Sequence, residues 1–247
     1  MAIAALFLPE AADYISSSAA ESVSLARSLN TSPFVQGLQE EAKRASIAIN
    51  VGVHEPADDG KRVKNSLIWI DEQGSITQNY QKLHLFDIDI KGGPRLRESD
   101  SVQPGSDILP PFSSTLGKVG LTICYDLRFP ELALAQRRRG AEIITVPSAF
   151  TVPTGKAHWE ILLRARAIET QCYVIAAAQV GKHNEKRQSY GHSMIVSPWG
   201  EILAELSGNE NIESEIAIAE IDLETLGKTR TAMPLWDQRR WDVYPQL

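Results

Sequence analysis

KVGLTICYDLRFPELALAQRRRGAEIITVPSAF (118–150) reads as strand, sharp turn, helix and strand. The apolar, β-branched run of Val119, Leu121, Thr122 and Ile123 predicts a buried strand over 118–124 that ends on Cys124. Pro130 then opens PELALAQRRR, where a first-turn proline costs nothing, and EIITVPSAF (142–150) follows as another strand. A turn between strand and helix is where a fold exposes a nucleophile on a fixed backbone. Tyr125, Asp126 and Arg128 follow the thiol at once.

The same alternation extends outward. AIAALFL (2–8) and IAINVGV (47–53) predict strands, with helical periodicity over 19–29 and 33–46 between them. SLIWID (66–71), the turn DEQG and SITQNYQK (75–82) predict a hairpin. Helix is expected over 156–170 and strand over 172–180. A hairpin turning at PWGE, a strand over SEIAIAEID (214–222) and a short helix over 223–230 complete the pattern. Strands interleaved with helices and hairpins argue α/β, with a mixed sheet or two packed sheets and helices outside. Residues 90–112 form a stretch of loop composition long enough to suggest a functional or disordered loop.

Composition narrows the function. A chain of 247 residues with 43% hydrophobic content fits one large domain or two small ones and can bury a sizeable core; with no low-complexity linker in the sequence, one domain over 1–247 is expected. A net charge of −6 gives no reason to expect nucleic acid or an acidic membrane as partner. Two cysteines, Cys124 and Cys172, make no disulfide framework and suit a reducing compartment. We therefore expect a cytoplasmic protein, with mitochondria as the second location. No Cys/His set of zinc type appears, and no metal or cofactor is expected.

A cysteine nucleophile needs a base and a group to stabilise the oxyanion. None of the five histidines stands in a papain-like or caspase-like context. Glu10 follows the strand LFLP, and Lys82 ends the strand SITQNYQK. Strand ends are where open α/β sheets place ligands. From spacing alone Glu10 is more often a solvated cap, Lys82 more often a surface charge and Cys124 more often an inert core thiol.

LFLPEAADYI (6–15), YQKLHLFDIDIKGGPRLRESDSVQPG (80–105) and GLTICYDLRFPELALA (120–135) together resemble the nitrilase superfamily of carbon–nitrogen hydrolases. The resemblance continues through 147–202 and is closest to the Nit branch. It implies a Glu–Lys–Cys triad of Glu10, Lys82 and Cys124, with Glu98 as a fourth acidic residue that orients Lys82 or holds the substrate amide. It implies an amidase acting on the terminal amide of deaminated glutathione. The alternatives are an ω-amidase acting on α-ketoglutaramate-type 2-oxo acid amides and, from another class, a catalytically weak interaction protein. Tyr125 and Phe129 are expected to shape the substrate pocket, and Phe150 and Thr151 to line it. Arg128 is expected either to receive a substrate carboxylate or to pair with Asp126 or Glu131. Cys172 is expected to be structural, and Arg164 and Arg166 to lie on a solvated face or a subunit contact. Lys186 and Arg187 are candidates for an acidic substrate tail.

The resemblance further implies a four-layer αββα sandwich that forms a homodimer. The expected interface uses the helices after Cys124 and Lys156 and the aromatic tail of Trp236, Trp241 and Tyr244. Family members usually carry one more strand and helix before LFLPE. The sequence begins at MAIAALFLPE, so the expected architecture lacks that first unit, which would leave backbone groups unpaired and apolar surface open beside LFLPE.

Overall fold

The computed structural model describes residues 3–89, 95–185, 187–209, 211 and 214–243. In chain order the elements are β1 (Ala5–Phe7), α1 (Ala19–Leu25), α2 (Pro33–Ala45), β2 (Ala48–Pro56), β3 (Val63–Ile70) and β4 (Ile76–Gln81). A small hairpin follows, β5 (Asp87–Asp89) and β6 (Arg95–Arg97), then β7 (Val102–Gln103), β8 (Phe112–Ser114) and β9 (Gly117–Leu121). The second half contains α3 (Pro130–Arg138), β10 (Ile143–Thr145), α4 (Val152–Thr170) and β11 (Tyr173–Ala176). It closes with β12 (Val180–Lys182), β13 (Gln188–Tyr190), β14 (Met194–Val196), β15 (Ile202–Glu205) and α5 (Leu223–Ala232).

Two sheets carry the fold. One runs β1-β2-β3-β4, with β7 added alongside β3, and the other runs β15-β14-β11-β10-β9-β8. Alternation along β3 explains how they stack. Ile68 and Ile70 join Ile49, Val51 and Val53 of β2 under α2, which supplies Val35 and Ala42. Leu67 and Trp69 point the other way and share a core with Val119, Leu121, Ile143 and Ile175 of the second sheet. The far face of that sheet is covered by α4, through Trp159, Leu163 and Ala167. The layers are therefore helix, sheet, sheet, helix, as expected.

Local chemistry sets the boundaries. Ser32 caps α2 through its side chain and Pro33 occupies the first turn. The DEQG turn closes on Gly74 at φ +81°, with Asp71 accepting from the backbone of Gln73 and Ser75. The helix expected over 19–29 stops at Leu25. Beyond it, the carbonyl of Ser28 takes the backbone N–H of Thr31 and of Ser32, a turn that competes with helix. The strand expected over 118–124 ends at Leu121, and Cys124–Arg128 form a 3₁₀ turn. The expected 142–150 strand shortens to Ile143–Thr145, two residues before Pro147, which has no N–H to pair.

Two expectations fail. The 90–112 stretch is not one loop: its described part supplies β6, a 3₁₀ turn at Glu98–Asp100, and β7, which pairs parallel with β3. SEIAIAEID (214–222) forms no strand. Its period-two pattern is real, but no strand among the described residues lies beside it. Ile216 and Ile218 are consequently 78% and 55% exposed. This segment faces β1 across an apolar cavity of about 980 Å³ that is also bordered by Ile3–Pro9 and Ile175–Val180. Among the described residues β1 itself pairs only with β2, in parallel.

Candidate active site

Glu10, Lys82, Glu98 and Cys124 meet at the ends of strands from both sheets. The chain from Leu8 to Ala12 runs against β2, with bonds from Leu8 to Asn50, from Gly52 to Pro9 and from Ala12 to Gly52. A Cβ on Gly52 would stand 2.6 Å from the Glu10 Cα, so this mid-strand glycine is what lets Glu10 approach. Ala11 then turns at φ +54°, a conformation uncommon outside glycine. Lys82 follows β4 directly, and its backbone N–H donates to the carbonyl of Asn65 on β3. Cys124 heads the 3₁₀ turn at φ +48°, with its N–H held by the carbonyl of Pro147.

The charges are buried and matched. Glu10 is 4% exposed and Lys82 2%. The Lys82 ammonium donates to Glu10 Oε1 at 2.8 Å and to both oxygens of Glu98 at 3.0 Å. Asn65 Nδ2 donates to Glu10 Oε1 at 2.7 Å, and the Ala149 N–H to Glu10 Oε2 at 2.8 Å. The Phe86 N–H donates to Glu98 Oε2 at 2.6 Å. Gln179 fixes the Glu10 backbone by donating to the carbonyls of Glu10 and Ala11, both at 3.1 Å. The Cys124 thiol lies near enough to Glu10 and Lys82 for the charges of both to act on it.

These contacts decide the protonation states. Burial alone would push the Glu10 carboxyl up, but the Lys82 ammonium and the hydrogen bonds from Lys82, Cys124 and Asn65 outweigh it and hold the group below its ordinary value. Burial opposes the Lys82 charge, yet Glu10, Glu98 and Cys124 raise it well above the usual range. Burial and the neighbouring Glu10 carboxylate push the Cys124 thiol well up, against the pull of Lys82. The resting site is a carboxylate, an ammonium and a neutral thiol.

Above Cys124 lies a cleft of about 20 Å³ bordered by Phe86, Tyr125, Arg128, Ala149, Phe150, Thr151 and Thr154. That is room for about one water. Of the residues expected to shape or line a substrate pocket, Tyr125, Phe150 and Thr151 border this cleft. Phe129 does not border the cleft: it lies behind Tyr125, edge-on at 5.5 Å, and stacks on His84 at 3.7 Å. Arg128 pairs with neither Asp126 nor Glu131. Its guanidinium sits over the rings of Tyr125 and Phe150, at 5.7 and 5.4 Å, and meets His158 Nδ1 at 3.3 Å. The carboxylate of Asp126 is engaged elsewhere, by Tyr80 and His84.

The chain belongs to the carbon–nitrogen hydrolase family. The pattern of that family, described as carbon-nitrogen hydrolase, matches residues 2–231. The "Probable hydrolase nit2" of Schizosaccharomyces pombe is 49% identical over 243 residues, covering 98% of this chain and 87% of the relative. The deaminated glutathione amidase of Mus musculus is 45% identical over 245 residues, 98% of this chain and 74% of the relative. The crystal structure of the Caenorhabditis elegans NitFhit protein matches with a TM-score of 0.90 at 45% identity, covering 97% of this chain and 57% of that one. The chain is thus a hydrolase of carbon–nitrogen bonds in the Nit branch of the nitrilase superfamily.

Other expectations resolve against this frame. Cys172 is fully buried, with its thiol on the carbonyl of Ala141 at 3.2 Å. Arg166 is not on a solvated face: it is 5% exposed and donates to the carbonyl of Leu127 at 3.0 Å, which anchors the turn that carries Cys124. Arg164 donates to the carbonyl of Gly200. Trp236 and Trp241 pack edge to face at 5.7 Å beside Arg137 and Arg239. Tyr244 and Lys186 lie outside the described residues. No helix among the described residues is long and apolar enough to cross a membrane. Sequence reasoning missed Asn65 and Gln179. For Asn65 a signal existed: asparagine is depleted within strands, and VKNSL places one in the middle of β3.

Proposed function

We propose that the chain is an amidase that hydrolyses the amide of deaminated glutathione through a thioester on Cys124, with Glu10 as base and Lys82 as oxyanion partner. The observation that carries this reading is a buried cysteine beside a buried carboxylate that the Lys82 ammonium, 2.8 Å away, keeps ionised. As the C–S bond forms, the thiol proton passes to Glu10. The amide oxygen, now negative, is met by the Lys82 ammonium and by the N–H of Tyr125, in the first turn of the 3₁₀ segment, where backbone donors lack helical acceptors. Collapse expels the amine, which takes the proton from Glu10. Water then attacks the thioester, Glu10 takes its proton, and the thiol is restored as the acid leaves. Glu98, bonded to Lys82 through both oxygens, orients the ammonium.

The substrate class follows from the named mouse relative and from Arg128, a cation beside Cys124 suited to a carboxylate on the substrate. Because the cleft holds about one water, Arg128 must leave the rings of Tyr125 and Phe150 to admit that substrate. We also propose a cytoplasmic homodimer, supported by exposed Ile161 and Ile168 on α4 and Trp199 near its end. Light scattering that gives a stable monomer would remove the dimer.

The test of substrate is product release from deaminated glutathione against α-ketoglutaramate at matched concentrations. We expect the higher kcat/KM on deaminated glutathione. The opposite order moves the reading to an ω-amidase, and no turnover of either leaves the interaction protein.

A further inference from the structure

Lys82 and Cys124 belong to different sheets, and their separation must be set by something that touches both segments. Asp126 does so. It is 2% exposed and accepts four hydrogen bonds. Oδ2 takes the Tyr80 hydroxyl at 2.7 Å and the Ile123 N–H at 2.9 Å. Oδ1 takes the His84 N–H at 3.0 Å and lies 2.7 Å from His84 Nδ1. Tyr80 and His84 stand two residues on either side of Lys82, and Ile123 immediately precedes Cys124. One carboxylate thus brackets the lysine and fixes the entry to the cysteine. Phe129, from the end of the same turn, stacks on the His84 ring at 10° and adds a second grip.

A carboxylate offers about four lone-pair sites, and here all are used. Asp126 is therefore free neither to act as a base nor to bind substrate or Arg128. Burial and the adjoining carboxylate keep the Tyr80 phenol protonated, so it remains a donor. We propose that Asp126 is a positioning residue whose carboxylate sets the distance between the Lys82 ammonium and the Cys124 thiol. The inference rests on the amidase reading for its kinetic effect, but the geometry it describes stands apart from any substrate.

The test uses Asp126→Asn and Tyr80→Phe in the full chain, with two readouts. The first is amide turnover. A displacement of about 1 Å between reacting groups costs on the order of a hundredfold. We expect that loss in kcat for Asp126→Asn, about tenfold for Tyr80→Phe, and KM changed by less than about threefold in both. The second is the pH midpoint of Cys124 alkylation by chloroacetamide, followed by peptide mass spectrometry. Lys82 drifting from Cys124 raises that midpoint by about one pH unit, whereas deleting the Asp126 charge alone would lower it. Buried Cys172, unlabelled throughout, reports that the fold is intact.

An unchanged or lowered midpoint in both variants overturns the proposal, as does wild-type kcat in both. If Asp126→Asn labels at Cys172 and so has unfolded, Tyr80→Phe alone decides. If the wild type turns over no amide, the proposed function fails, and the alkylation midpoints still decide the role of Asp126.

Discussion

Glu10 and β1 are close in sequence and opposite in environment. Glu10 is nearly sealed from solvent, and its carboxylate is held by Lys82, Asn65 and the Ala149 N–H. Among the described residues β1, just before it, pairs on one edge only, and it borders an apolar cavity of about 980 Å³. That cavity is thus apart from the chemistry, whereas the cleft over Cys124 holds about one water. The difference teaches where the catalytic geometry comes from. The proposed catalytic geometry is held by hydrogen bonds between buried groups brought together from both sheets.

Substitutions should separate the two regions. Cys124→Ala is expected to reduce turnover to background, while Cys172→Ala keeps most of it, both measured as product release. Equal loss in both would mean that the structural thiol has been misread. Lys82→Met should lower kcat by roughly a hundred- to a thousandfold, the cost of losing one oxyanion donor. It also leaves Glu10 and Glu98 buried without their cation, which should destabilise by about 3–5 kcal/mol in urea unfolding.

The pH response should sharpen the contrast. The Glu10 carboxyl lies below its ordinary 4.5 and the Lys82 ammonium above its ordinary 10.5. The Glu10 contribution to stability is complete above 4.5 and is lost as pH falls through the lowered value; the Lys82 contribution is complete below 10.5 and is lost as pH rises through the raised value. The acid limb of kcat/KM is therefore expected below pH 4.5, and Asn65→Ala should move it upward by removing one hydrogen bond to the carboxylate. An acid limb at or above the ordinary value in the wild type would contradict this balance.

The smallest effects belong to the cavity. Leu67→Ala, in the core between the sheets, should cost about 2–5 kcal/mol. Ile216→Ala, exposed across from β1, should stay within about 0.5 kcal/mol. Comparable losses would show that the 214–222 segment contributes to the core in solution.

What was legible in the sequence divides along the same line. The β3–β4 hairpin, α2 and the strand–turn–helix around Cys124 were readable because propensity, turn residues and periodicity are local. Glu10, Lys82 and Cys124 were marked as strand-end residues, but only the resemblance joined them into a triad. The 214–222 strand was misread because a period-two pattern states a preference and cannot supply a neighbouring strand. Arg166 was misread because its acceptor, the Leu127 carbonyl, is set by tertiary packing. Asn65 and Gln179 were missed for the same reason, since their partners lie 55 and 169 residues away.

The central claim is that Cys124 carries the acyl group during amide hydrolysis. Its most direct test is rapid acid quenching of the enzyme during turnover of deaminated glutathione, followed by mass spectrometry of the cysteine peptides. The account predicts a transient mass increase equal to the acyl fragment on the Cys124 peptide and none on the Cys172 peptide. A Cys124 peptide that stays unmodified while product accumulates and the acyl group rides on another residue would contradict it.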